Sequence, residues 1–94
     1  MRKIERVGKF KRDYRRESKG KAYAEFDPIL SAIIFDLARD IPLAQKFRDH
    51  QLGGNFRGYR ECQIKPDLLL IYQKPDDQRL ILHRLGSHSE LGFG

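Results

Sequence analysis

Apolar residues recur at helical intervals in the first half of the chain and switch to strand-like runs in the second. Arg2 to Arg6 suits a short first strand. From Val7 onward, Val7, Phe10 and Tyr14 fall on one helical face, with Lys11, Arg12, Arg15 and Arg16 between them, until Ser18-Lys19-Gly20 breaks the pattern. A longer helix is predicted over roughly Tyr23 to Asp40, where Phe26, Ile29, Leu30, Ile33, Ile34 and Leu37 form a wide apolar stripe. Asp27-Pro28 is either the cap and first residue of this helix or a shallow kink near its start, and Pro42 prevents its continuation.

Leu43 to Gly58 contains Gly53, Gly54, Asn55 and Gly58 and reads as an ordered loop of the length that often carries function in a small domain. Three strands follow, Tyr59–Ile64, Leu68–Gln73 and Arg79–Leu85, joined by turns at Lys65-Pro66-Asp67 and Lys74-Pro75-Asp76-Asp77. Tyr59, Leu69, Ile71, Ile81 and Leu85 are expected in the core, and Gly86 to Gly94 is a short tail. The pattern predicts one α+β domain over residues 1–94: two N-terminal helices packed on one face of a small, mostly antiparallel sheet of about four strands.

Charge adds something the hydrophobic pattern lacks. Residues 1–20 hold nine Lys/Arg (Arg2, Lys3, Arg6, Lys9, Lys11, Arg12, Arg15, Arg16, Lys19) against Glu5, Asp13 and Glu17, an excess of +6 that equals the net charge of the whole chain. The other 74 residues carry ten bases and ten acids. A basic block of this kind attracts polyanions such as nucleic acid, the ribosome or an acidic protein partner; its plain reading is a solvated helix face. One cysteine, Cys62, excludes an intramolecular disulfide and suits a reducing compartment. No secretory signal or apolar run of membrane-spanning length is visible, so the expectation is a cytoplasmic protein without a membrane partner.

The candidate chemistry lies in the neutral part. His50 is in the glycine-bearing loop, Asp67 at the turn opening the middle strand, and His88 just past the last strand. Adjacent antiparallel strands place the start of one beside the end of the next, which puts Asp67 and His88 at the same end of the sheet. His50 joins them only if its loop folds back. Such a set suits RNA cleavage without metal or small-molecule cofactor. A base takes the 2′-hydroxyl proton, an acid protonates the departing 5′-oxygen, and a cation stabilises the extra phosphate charge. Histidine fits either proton role, and arginine matches phosphate with a bidentate fork. Arg60, Lys46 and Phe93 are the candidate RNA- and phosphate-binding residues, Phe93 by stacking on a base.

Each has a structural alternative. A lone loop histidine is more often a surface or hydrogen-bonded residue, Asp67 after Pro66 shapes a turn, and Phe93 packs a tail. His83, in mid-strand, has no expected catalytic role. The histidines lack metal-ligand spacing, and Gly53-Gly54 lacks the lysine and strand context of a phosphate-binding loop.

Four separated blocks occur in a fixed order: Asp49-His50-Gln51-Leu52-Gly53-Gly54, Gly58-Tyr59-Arg60-Glu61, Lys65-Pro66-Asp67-Leu68-Leu69-Leu70-Ile71-Tyr72, and Arg84-Leu85-Gly86-Ser87-His88. From about Ile41 to the end they resemble the YafQ branch of the RelE-type toxins. The resemblance implies a compact RelE-like α+β fold and a toxin of a type II toxin–antitoxin system. The implied activity is that of a ribosome-dependent endoribonuclease (an mRNA interferase) that cuts message in the 70S ribosome. It also implies a cognate antitoxin of the DinJ kind. Carried over by position, His50, Asp67 and His88 match active-site residues of the family, and Arg60 matches a basic position of the Tyr-Arg segment. Gln63 departs from the pattern, since the family commonly has histidine there and glutamine does not carry protons near neutral pH. Gly92 interrupts the usual Leu-Phe ending, and Glu61 stands where Asp is frequent. Gln63 keeps open a second reading, a non-catalytic toxin on the same scaffold that inhibits the ribosome, or gyrase as ParE relatives do.

Overall fold

In the computed structural model, which describes residues 1–92, the chain forms β1 (Lys3–Arg6), α1 (Gly8–Ser18), α2 (Tyr23–Ala38), β2 (His50–Gln51), β3 (Arg60–Lys65), β4 (Leu68–Gln73), β5 (Arg79–Gly86) and α3 (His88–Leu91). Short 3-10 turns at Gln45–Phe47 and Gly54–Phe56 flank β2. The sheet runs β1-β5-β4-β3-β2, with β1 parallel to β5 and every other pair antiparallel. Five strands are present, against the expected four or so. His50 and Gln51 alone pair with Glu61 and Arg60, and two residues inside a glycine-rich loop leave no strand pattern to read.

Helix α2 buries Phe26, Leu30, Ile33, Ile34, Leu37 and Ala38 against one sheet face. Pro28 lies inside its second turn, so the kink-position alternative holds over the cap. The helix stops at Ala38, two residues short of expectation. Asp40 turns left-handed at φ 58°, the Ile41 amide bonds back to the Asp36 carbonyl at 2.8 Å, and the Asp40 carboxylate takes up Arg2 and Lys74. Helix α1 contributes Phe10, and Tyr14 donates its hydroxyl proton to Asp27 at 2.7 Å, tying the two helices together.

The sheet is covered on both faces. Cys62, Ile64, Leu70, Tyr72, Leu80, Leu82 and Leu85 face the helices, whereas Leu69 and Ile71 meet Leu91, Leu52 and Tyr59 on the opposite side. A register shift between Ile71 and Tyr72 inserts an extra residue in β5, so Leu80 and Leu82 share a face with Leu85. Strict alternation would have given that place to Ile81, which is only half-buried. Burial pushes the Cys62 thiol far above its ordinary range, with Asp49 and Glu61 adding to the shift, so it is an inert core group.

Strand β1 covers β5 only as far as Leu82, which leaves the upper edge of β5 open. Helix α1 closes it with side chains. The Leu85 amide donates to Asp13 Oδ2 at 3.0 Å, and Arg16 donates to the Leu85 carbonyl at 3.0 Å. An acid and a base thus replace one strand pair, satisfying backbone groups that would otherwise be buried and unpaired. Asp13 is only 4% exposed and also receives Arg84 at 2.7 Å and Arg16 at 3.0 Å. Burial alone would raise its carboxyl. The Arg84 and Leu85 hydrogen bonds and the two guanidinium charges outweigh that and hold it below the usual range.

Candidate active site

Asp67 and His88 come together. Pro66 and Asp67 are the two loop residues between β3 and β4, and Asp67 is 78% exposed at its side chain. His88 opens α3, and its Nδ1 lies 3.4 Å from Asp67 Oδ1. The helix start is fixed by a capping box in which Ser87 Oγ accepts from the Glu90 amide at 3.1 Å and Glu90 Oε1 accepts from the Ser87 amide at 2.8 Å. Arg16 of α1 reaches Glu90 at 3.1 Å, so the helix that carries His88 is tied to the edge-closing network. The Ser87 hydrogen bonds and the Arg16 charge outweigh partial burial and hold the Glu90 carboxyl below its ordinary value.

His50 lies on β2, across from Glu61. Its Nδ1 donates to the Arg48 carbonyl at 2.6 Å, which leaves Nε2 as the ring atom for proton exchange. Nε2 is 3.6 Å from the buried Glu61 carboxylate, and the imidazole is half-exposed. Arg48 adopts a left-handed conformation, φ 49°, which turns the chain into β2 and presents its carbonyl to the ring. The preceding residue, Asp49, accepts from the Tyr72 hydroxyl and from Arg60, and these bonds anchor the base of the His50 segment. Burial and the Asp49 hydrogen bond both push the Tyr72 phenol well above its usual range, so it remains a donor.

His50, Glu61, Ile71 and Arg84 form one row across the sheet, and Gln63, Leu69 and Gly86 form a row two residues nearer Asp67. Four residue-to-residue steps lead from Glu61 to Lys65, the last residue before the Asp67 turn, or about 13 Å of strand. The structure therefore brings Asp67 to His88 but leaves His50 farther along the same face, with Gln63 between them. Lys46 lines an edge cavity of about 300 Å³ together with Gln63, Lys65 and Pro66, and its ammonium stands over the Phe47 ring at 5.1 Å. It has no ion pair among the described residues, whereas Lys65 is engaged by Glu25.

Arg60, the expected phosphate clamp, is held through its Nε and keeps 37% of its side chain exposed. Alternation along β3 turns it to the helix-side face, where its Nε donates to Tyr72 at 3.2 Å and to Asp49 at 3.4 Å. A guanidinium so engaged positions the His50 segment. Phe93 lies outside the described residues. The parts missed by sequence reading were Asp13, Arg16, Asp49 and Tyr72, which act through pairings across the fold. Ser87-His88-Ser89-Glu90 did carry a legible capping-box signature. Among the described residues no group of three or more His, Cys, Asp or Glu side chains gathers as a metal cluster, and no helix is long and apolar enough to cross a membrane.

A helix pair backing a mostly antiparallel sheet, with an Asp-His pair and a second tethered histidine on the far face, defines a small α+β protein with a candidate acid–base site. The chain belongs to the family described as bacterial toxin of type II toxin–antitoxin system, YafQ, which it matches over residues 2–93. It is 31% identical over 94 residues to the mRNA interferase toxin YafQ of Escherichia coli K12, covering all of this chain and 98% of that one. Among solved structures it is similar to YafQ in the E. coli DinJ–YafQ complex, with TM-score 0.82, 31% identity and complete coverage of both chains. It is likewise similar to a metal-bound toxin from Helicobacter pylori, with TM-score 0.83, 42% identity, and coverage of 97% of this chain and 99% of that one.

Proposed function

We propose that this protein is an mRNA interferase toxin that cuts message on the 70S ribosome by metal-independent acid–base attack of the 2′-hydroxyl, with His50, Asp67 and His88 as its catalytic residues. The observation that carries the reading is the Asp67–His88 pair at 3.4 Å on the same sheet face as His50, whose Nδ1 is fixed by a backbone carbonyl. The two imidazoles share the proton roles. One takes the 2′-hydroxyl proton as that oxygen bonds to phosphorus, and the other protonates the 5′-oxygen as its bond to phosphorus breaks, leaving a 2′,3′-cyclic phosphate. Asp67 orients His88. Lys46, beside Gln63 and Pro66 and without an ion pair among the described residues, is the better-placed cation for the phosphate; Arg60 acts by holding Asp49.

The partners follow from charge and kinship. Of the nine cations in residues 1–20, only Arg2 and Arg16 form ion pairs among the described residues. Arg6, Lys11 and Arg15 border a groove of about 560 Å³ between α1 and α2, a surface suited to ribosomal RNA. The solved E. coli relative is bound to DinJ, and an antitoxin of that kind is the proposed neutralising partner.

Added to a translating system, the purified protein is expected to produce discrete message ends within codons. His50→Ala and His88→Ala should each lose at least about a hundredfold in cleavage rate while remaining folded. Full activity in both variants sinks the assignment. Gln63 favours one second reading, a toxin that inhibits without cutting. Translational arrest with no new message ends by primer extension would select it.

A further inference from the structure

A cavity of about 300 Å³ opens on the His50 face of the sheet, beyond α3 from the Asp67–His88 pair. Its floor is Ile71, which shares a row with Glu61 and His50, and one wall is Leu91, one helical turn past His88. Around that floor stand Lys9, Asn55, Phe56, Tyr59 and His83. The mixture is specific in character. Two aromatic rings, an amide, an imidazole and an ammonium converge, and among the described residues no carboxylate lines the space. Tyr59 meets His83 edge-on at 4.8 Å, which fixes both rings. His83 Nε2 donates to Gln73 at 3.1 Å, and burial holds its ring below the ordinary value, so it is neutral at physiological pH. Lys9 is exposed and has no ion pair among the described residues, while Arg84 is largely committed to Asp13. Phe56 is 44% exposed.

We propose that this cavity is a nucleotide subsite: it receives the base next to the scissile bond, stacked against Phe56 and Tyr59, with Asn55 on the base edge and Lys9 on the adjoining phosphate. The inference rests on the interferase reading and adds a position for the neighbouring nucleotide. Aromatic walls accept the π-face of any base, and a single amide gives a modest preference among bases. A cavity at the small end of ligand-site volumes suits one ring system rather than a peptide segment.

Two measurements test it. In a translating system, Phe56→Ala and Lys9→Gln are expected to lower the cleavage rate about tenfold, and Asn55→Ala to change which bases flank the cuts. Lys21→Gln, the same loss of charge between α1 and α2, should be close to wild type. Wild-type rate and cut sites in all three cavity variants, or an equal loss in Lys21→Gln, overturns the proposal while leaving the nuclease reading intact. Independently of cleavage, His88→Ala protein should quench a single-stranded RNA decamer carrying 2-aminopurine, and adding Phe56→Ala should abolish the quenching. Absence of quenching, or quenching indifferent to Phe56, sinks the subsite whether or not the protein cuts. Quenching that depends on Phe56 in a protein that never cuts upholds the subsite and removes the nuclease. Weakened antitoxin binding with unchanged RNA behaviour would assign the cavity to the protein partner and overturn the proposal.

Discussion

Gln63 sits on β3 between the row that holds His50 and the turn that holds Asp67, facing the same side of the sheet as Glu61 and Leu69. An imidazole there would supply a proton carrier in the gap between the two halves of the site. Gln63→His is therefore expected to raise the cleavage rate by tenfold or more, read from single-turnover cleavage of a ribosome-bound message. A rate unchanged by that substitution would mean that the 13 Å or so of strand between Glu61 and Lys65 is not what limits proton transfer. A different residue-scale effect is expected at Tyr72, whose hydroxyl holds Asp49 and so the segment carrying His50. Tyr72→Phe keeps the packed ring and removes two bonds, the one donated to Asp49 and the one accepted from Arg60. Urea unfolding should show a loss of about 1 kcal/mol, whereas activity should fall further, because a displaced His50 loses its alignment. Equal, small effects on both would assign the bonds to stability alone.

At the scale of elements, α3 is four residues long, too short to stand by its own propensity. It is held by the Ser87–Glu90 box, by Leu91 in the second hydrophobic cluster and by the Arg16–Glu90 pair. Ser87→Ala should cost about 1 kcal/mol and should reduce cleavage by more than that loss of stability accounts for, since His88 is the first residue of the helix. Helix α1 has a second duty at the open edge of β5. Removing the buried carboxylate with Asp13→Ala strands the Leu85 amide and leaves Arg84 without its partner, a loss of about 3–5 kcal/mol. Thermal melts compared with the exposed control Asp77→Ala would measure it. A change under about 1 kcal/mol would show that water replaces the carboxylate at that edge.

The whole molecule should answer to pH in two stages. Burial lowers the His83 value below its ordinary 6.5, so the unfolded chain binds more protons there and stability declines as pH falls through that value. Asp13 and Glu90, held below their ordinary 3.8 and 4.5, contribute stability above those values and lose it as pH falls through their lower folded values. Melting temperature should accordingly be highest above about pH 6.5 and drop in two steps, with His83→Gln removing only the first. A single acid step in the unaltered protein would contradict the first assignment. Helix periodicity in Val7 to Leu37 and strand runs from Tyr59 to Leu85 were legible because each element buries one continuous stripe, and the Asp67–His88 pairing was legible because a hairpin fixes which strand ends meet. Four other features were not. The two-residue β2 depends on its pairing with β3. The exchange of Ile81 for Leu80 and Leu82 depends on a bulge. Arg60 is turned to the helix-side face by strand alternation and held by Asp49 and Tyr72. The closure of β5 by Asp13 and Arg16 joins residues about seventy positions apart in the chain. The sequence by itself determined the α+β class, the two helices, the main strands, the family and the residue types available for acid–base chemistry, since those follow from local periodicity and short motifs. Only the tertiary structure decided that His50 stands a half-face away from Asp67 and His88, with Gln63 between, because that spacing is set by strand register, and register is fixed by contacts between segments distant along the chain.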